Sequence, residues 1–278
     1  MARLLAPALA ATLLALPVAG CSSETEGPAT HSHAGGALVS LPVGDGTRAE
    51  EVGYSLADVS LPARAGVAGQ VRLRVVTYEG EPLTDYLEEL TKELHLYVVS
   101  DDLTVFRHLH PTMSGDGTWR APVVLPKGGD YRVVAEFVAR DSGGNGDHLV
   151  LGETRTVADG AADSTPTTDR AVQVEVTEAP VAGPDGRMRL TVRDARGRPV
   201  LLGTYLGAHA HVTGFRKESG SMLHVHPLGA PEVTEDGSTL EFHTEIEEPG
   251  DYRLFAQVRV DGFLHTVPVD VEVAAPSA

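Results

Sequence analysis

Glu93–Pro111 reads ELHLYVVSDDLTVFRHLHP, and Ala210–Pro227 reads AHVTGFRKESGSMLHVHP. Each stretch closes on His-x-His-Pro, and each carries another histidine thirteen residues before the first of the pair: His95 before His108 and His110, His211 before His224 and His226. Two clusters in one register mark a tandem duplication. Alternate residues of a β-strand project from the same face, so each His-x-His pair points one way. The segment between the first histidine and the pair reads as a hairpin, strand 94–99, a turn near Asp101 and Asp102, then strand 104–110. With Asp102 and Leu103 at the tip, His95 lies opposite His110, and Tyr97 opposite His108. Opposed Cβ atoms in an antiparallel pair are about 4.5–5.5 Å apart, so three imidazoles would converge on one face. The second copy, with its tip at Glu218-Ser219, would set His211 opposite His226, and His209 would be added two residues earlier. A one-residue slip would turn the first histidine of either set to the other face.

The duplication extends beyond histidine. Gly129-Asp130-Tyr131-Arg132 recurs as Gly250-Asp251-Tyr252-Arg253, and Gly80-Glu81-Pro82-Leu83 as Gly197-Arg198-Pro199-Val200. Around these landmarks both halves show short alternating or β-branched runs separated by turn residues, about seven in each hundred residues. The expected fold class is all-β: two tandem immunoglobulin-like antiparallel β-sandwiches. The expected organisation is a leader over 1–20, a lipidated cysteine and flexible tether over 21–45, a first sandwich over 46–158, a linker over 159–169 and a second sandwich over 170–278. Only Pro82–Leu94 has loosely helical spacing.

The amino-terminal stretch Leu4–Leu16 is apolar but too short to span a bilayer. It runs into Val18-Ala19-Gly20-Cys21, which resembles a bacterial lipobox, with Cys21 as the lipidated residue. The expected location is therefore extracytoplasmic, on a cell-membrane lipid anchor. Cys21 is also the single cysteine, so neither a disulfide nor a thiolate ligand is available to the fold. The chain holds 39 acidic and 22 basic residues, a formal net charge of −17. Such a balance argues against nucleic acid and against anionic lipid surfaces as partners.

A site of imidazoles suits Cu(II), Zn(II) or Ni(II), with copper favoured by the affinity order of first-row ions and zinc the second choice. The candidate ligands are His95, His108 and His110 in the first half, and His209, His211, His224 and His226 in the second. Met222, two residues before His224, and Met113, after the first His-Pro, could add thioether sulfur and admit Cu(I). His31 and His33 lie in the tether and could pass metal inward; His148, His243 and His265 have no partner in register. The competing reading makes these histidines structural, hydrogen-bonded within a sandwich whose edges or loops bind an envelope protein. No nucleophile elbow, His-Glu-x-x-His helix or phosphate-binding glycine loop is present, so nothing points to an enzyme.

The runs LHLYVVSDDLTVFRHLHPTMSGDGTW and TYLGAHAHVTGFRKESGSMLHVHP resemble secreted or lipid-anchored, chiefly actinobacterial, proteins with tandem β domains related to YtkA-like and heavy-metal-associated proteins. That resemblance, from Gly53-Tyr54 to the end, implies a link to copper or other metal handling. Relatives often carry His-Glu-Lys before the first hairpin, where this chain has Leu90, Thr91 and Lys92. On that comparison the second half, which also gains His209, is expected to be the better site.

Overall fold

The computed structural model describes residues 30–32, 38–160 and 170–276. The leader, Cys21, His33 and residues 161–169 lie outside the described residues. The described chain is all-β, and no helix among the described residues is long and apolar enough to cross a membrane. One sandwich is built from residues up to Val157 and another from Val172–Val273.

In the first sandwich, one sheet is ordered Thr30–Ser32, Leu38–Ser40, Gly146–Val157, Gly129–Arg140, Leu94–Ser100, Phe106–Leu109, and Tyr86–Leu87 also pairs with Gly129–Arg140. The facing sheet is ordered Glu50–Glu51, Tyr54–Ser60, Gly69–Thr77, Thr118–Val123, Thr112–Met113. Leu73, Val75, Leu96, Val98, Trp119 and Phe137 are among the side chains that fill the space between them. Residues 38–45, expected in the tether, instead run along the strand Gly146–Val157. Val43 N–H donates to His148 O at 2.8 Å, and Val150 N–H to Val43 O at 2.9 Å. Pro82–Leu94 contains a two-residue strand and a tight turn rather than a helical turn.

The duplicated motifs perform duplicated work. Tyr131 and Tyr252 each donate a hydroxyl hydrogen bond to the carbonyl four residues upstream, Lys127 O and Glu248 O, both at 2.8 Å. Gly80 and Gly197 sit at φ +83° and +77°, where a Cβ would be strained, and close the turns that enter the Gly-x-Pro lead-ins.

The strand Leu94–Ser100 is buried at every position. An antiparallel strand packed on one face only would alternate buried and exposed. Its even residues, Leu94, Leu96 and Val98, enter the first core, whereas Tyr97 and Val99 join a separate cluster with Phe106, Val134, Phe215 and Phe255. The second sandwich therefore covers the outer face of the first, sheet against sheet. The Phe106 and Phe255 rings stack at 4.3 Å with 6° between planes, and Phe215 meets both edge-on.

The seam has approximate twofold character. Arg132 donates to the carbonyls of Ser219 (3.1 Å) and Gly220 (2.8 Å) at the second hairpin tip, and Arg253 reaches Leu103 O at the first hairpin tip. These are the two arginines of the repeated Gly-Asp-Tyr-Arg. Each sandwich thus grasps the hairpin of the other.

Candidate metal centre

The first hairpin has the expected register. Tyr97 lies opposite His108 and Leu96 opposite Leu109. His95, His108 and His110 converge, each offering one ring nitrogen, and the three nitrogens lie within 4.8 Å of one another. Their ring centroids are 4.6–5.4 Å apart.

His95 is positioned by a device that the sequence did not announce. Glu89 and Lys92 exchange backbone hydrogen bonds across a two-residue turn, in which Leu90 and Thr91 have φ +46° and +69°. The Glu89 carbonyl then accepts a hydrogen bond from His95 Nε2–H at 2.9 Å. Leu90, Thr91 and Lys92 therefore serve a turn that orients His95. The second copy repeats the device with Tyr205, Leu206 and Gly207: His211 Nε2–H donates to Tyr205 O at 2.7 Å.

Hydrogen-bond accounting exposes a shortfall. His95 Nε2 must donate to a carbonyl, and His108 Nδ1 lies 2.6 Å from Gln257 Oε1, which also only accepts. His95 Nδ1 and His108 Nε2 then face each other at 3.0 Å. Three close contacts require three protons, but two neutral imidazoles carry two. Protonating His108 is disfavoured: burial first, and then the neighbouring His95 and His110, push its pKa well below its ordinary value. Burial likewise lowers His110 to about 4, with His95, Lys92 and His211 adding repulsion. His110 Nε2 is itself buried without a hydrogen-bond partner. The shared His95–His108 contact and the unpartnered His110 Nε2 thus leave ring nitrogens of the triad short of hydrogen-bond partners.

A transition-metal ion meets these requirements. Nitrogens bound at ~2.0–2.1 Å to one tetrahedral ion stand roughly 3.3 Å apart; the His95–His108 pair is at 3.0 Å and all three nitrogens lie within 4.8 Å. The carbonyl and amide oxygens that hold the far nitrogens of His95 and His108 are the usual outer supports of imidazole ligands. Turning the Gln257 amide over would also balance the protons, without an ion, because its other end meets the Thr266 hydroxyl at 3.2 Å.

The second histidine set is arranged differently. The strand Met222–Pro227 begins in the expected register, Phe215 opposite Met222 and Gly214 opposite Leu223. It then crosses to the other layer, where His224 lies opposite Glu245 and His226 opposite His243. His211 and His226 are therefore not opposed. In the first sandwich the corresponding crossing comes later, after Leu109, so His108 stays with its hairpin. The side chains of His224 and His226 are outside the described set. His209 stands in the bend before Ala210–Arg216 and is not one of the converging residues.

Neither methionine joins the triad. Met222 packs into the phenylalanine cluster of the seam, and Met113 against the first core. His211 faces the triad from the second sandwich, its ring centroid 6.1 Å from His108. Beside the triad, a cavity of about 40 Å³ is lined by His95, Tyr97, Glu136, His211 and Thr213 among others. Buried Glu136 accepts from Tyr97 Oη at 2.9 Å and meets His148 Nε2 at 3.1 Å, which gives a role to a histidine expected to be peripheral. His243 is half-buried near Asp185 and Glu245.

Residues 166–275 match the sequence model of a family described as "Domain of unknown function (DUF8832)". No curated protein matches the chain. Among solved structures, an invasin described as a bacterial integrin-binding protein is similar at 15% identity and TM-score 0.24, covering 80% of this chain and 39% of its own. A putative membrane anchored protein from Corynebacterium diphtheriae is similar at 10% identity and TM-score 0.22, covering 82% of this chain and 60% of its own. Titin domains z1z2 are similar at 11% identity and TM-score 0.22, covering 82% and 100%. The chain spans less than two thirds of the first two.

Proposed function

We propose that this chain is an extracytoplasmic, lipid-anchored, non-catalytic protein that binds one transition-metal ion, copper or zinc, through His95, His108 and His110, and buffers or delivers it. The observation that carries this reading is the convergence of three imidazole nitrogens within 4.8 Å of one another, beside a His110 Nε2 that is buried without a hydrogen-bond partner. The triad itself offers nitrogen only, which suits Cu(II) or Zn(II) better than Cu(I). The first sandwich, rather than the second, is the site the geometry favours. Its test is titration of the purified chain with Cu(II) and Zn(II), beside His108→Ala and His110→Ala. We expect one equivalent to bind wild type, and affinity to fall at least tenfold in each variant. Equal binding by the variants, or none by wild type, rejects the reading.

The alternative, an interaction module with structural histidines, draws support from one observation. His95 and His211 make the same carbonyl hydrogen bond in both copies, although only the first copy assembles a triad. Under that reading His108→Ala lowers the denaturation midpoint while wild type is indifferent to metal.

A further inference from the structure

A triad of imidazoles leaves a four-coordinate ion one position short. The seam decides what stands there. His211 is the counterpart of His95 in the second copy, and both rings are held in the same way, Nε2–H tied to the carbonyl six residues upstream at the end of a tight turn. That tautomer leaves Nδ1 as the lone pair in each. In His95 this is the nitrogen that faces His108 at 3.0 Å. The His211 centroid is 6.1 Å from that of His108, beyond the 4.6–5.4 Å within the triad, and His211 stands outside the group whose nitrogens lie within 4.8 Å, so it must close in on a bound ion. His95 and His211 both line a cavity of about 40 Å³, with Glu136 and Met222 also on its wall, more than the ~10–15 Å³ that one water needs. Gln257, also from the second sandwich, holds His108 Nδ1 at 2.6 Å and so fixes which nitrogen His108 offers.

We propose that the ion held by His95, His108 and His110 is shared across the seam, with His211 as its fourth imidazole and Gln257 as a positioning residue, so that loading the site locks the two sandwiches together. This rests on the metal-binding reading above. An ion ligated from both sides of an interface binds the docked state better than the undocked one, so binding and docking strengthen each other. Metal affinity is then a property of the pair of sandwiches.

The test uses the full chain loaded with one equivalent of zinc. X-ray absorption at the zinc edge is expected to count four imidazoles in wild type, and three with one oxygen in His211→Ala. Affinity of that variant is expected to fall 10–100-fold. Amide exchange at Phe215 and Phe255 should slow on zinc addition in wild type and respond far less in His211→Ala. Should that variant fail to fold, His211→Gln, which keeps a donor for Tyr205 O, takes its place. Unchanged affinity, ligand count and seam protection in the His211 variant overturn the proposal. If His108→Ala abolishes binding while the His211 variant matches wild type, the triad stands and only the sharing fails. If His108→Ala binds as wild type does, the parent reading fails as well.

Discussion

Tyr97 shows how much a single atom carries at this interface. Its hydroxyl donates to Glu136, a carboxylate 4% exposed, and burial, followed by that carboxylate, raises the tyrosine pKa well above its usual value. Tyr97→Phe removes one donor from a buried charge, so chemical denaturation should report a loss of about 1–3 kcal/mol. An unchanged midpoint would show that Glu136 does not depend on that bond. The histidines make a second residue-level prediction. His108 and His110 have folded pKa values depressed below the unfolded value near 6.5, so the fold prefers them neutral. Their contribution is fully present above ~6.5 and is lost as pH falls toward the folded values, about 4 for His110. The melting temperature of metal-free chain should therefore decline from pH 6.5 to 4, and His110→Gln should flatten part of that decline. Identical slopes would show that His110 is not a contributor.

At the scale of elements, the turn before each first histidine is the shared part, and the two copies are not equally relaxed. Thr91 adopts φ +69° where the second copy has Gly207 at +80°. A β-branched residue is strained there, so Thr91→Gly should stabilise the chain by about 1 kcal/mol, read as a higher melting temperature. A lower one would mean that Thr91 makes contacts worth more than its strain. The first hairpin was legible from residue spacing because its tip, Ser100 to Thr104, is closed by local bonds from Asp102 and Ser100 that pin the register. The second hairpin has the same register at Met222 and Leu223 yet departs before His224. Spacing encodes which residues can oppose one another within a hairpin; the layer to which a strand end pairs depends on what the neighbouring sheet offers. Nothing local in Leu223-His224-Val225 marks the crossing.

For the molecule as a whole, the seam is where local patterns ran out. Sandwich class and duplication could be read from alternation and from Gly-Asp-Tyr-Arg. The use of those arginines could not, because Arg132 and Arg253 act on the other half of the chain. The same applies to Gln257 and His148, which had no sequence partner but bond His108 and Glu136. Phe255→Ala should cost about 3–5 kcal/mol and loosen docking before either core, so small-angle scattering of the variant should show a larger radius of gyration. A radius equal to wild type would mean that the arginine clasp suffices alone. The reciprocal clasp has a further implication. Two identical halves meeting about a dyad form an isologous contact, in which every change appears twice. Covalent fusion lifts that restriction: position 136 is an acid where its counterpart 257 is an amide, and one histidine-bearing strand stays with its hairpin while the other crosses to the facing layer. The chain has the anatomy of a symmetric dimer whose halves, once joined, were free to specialise.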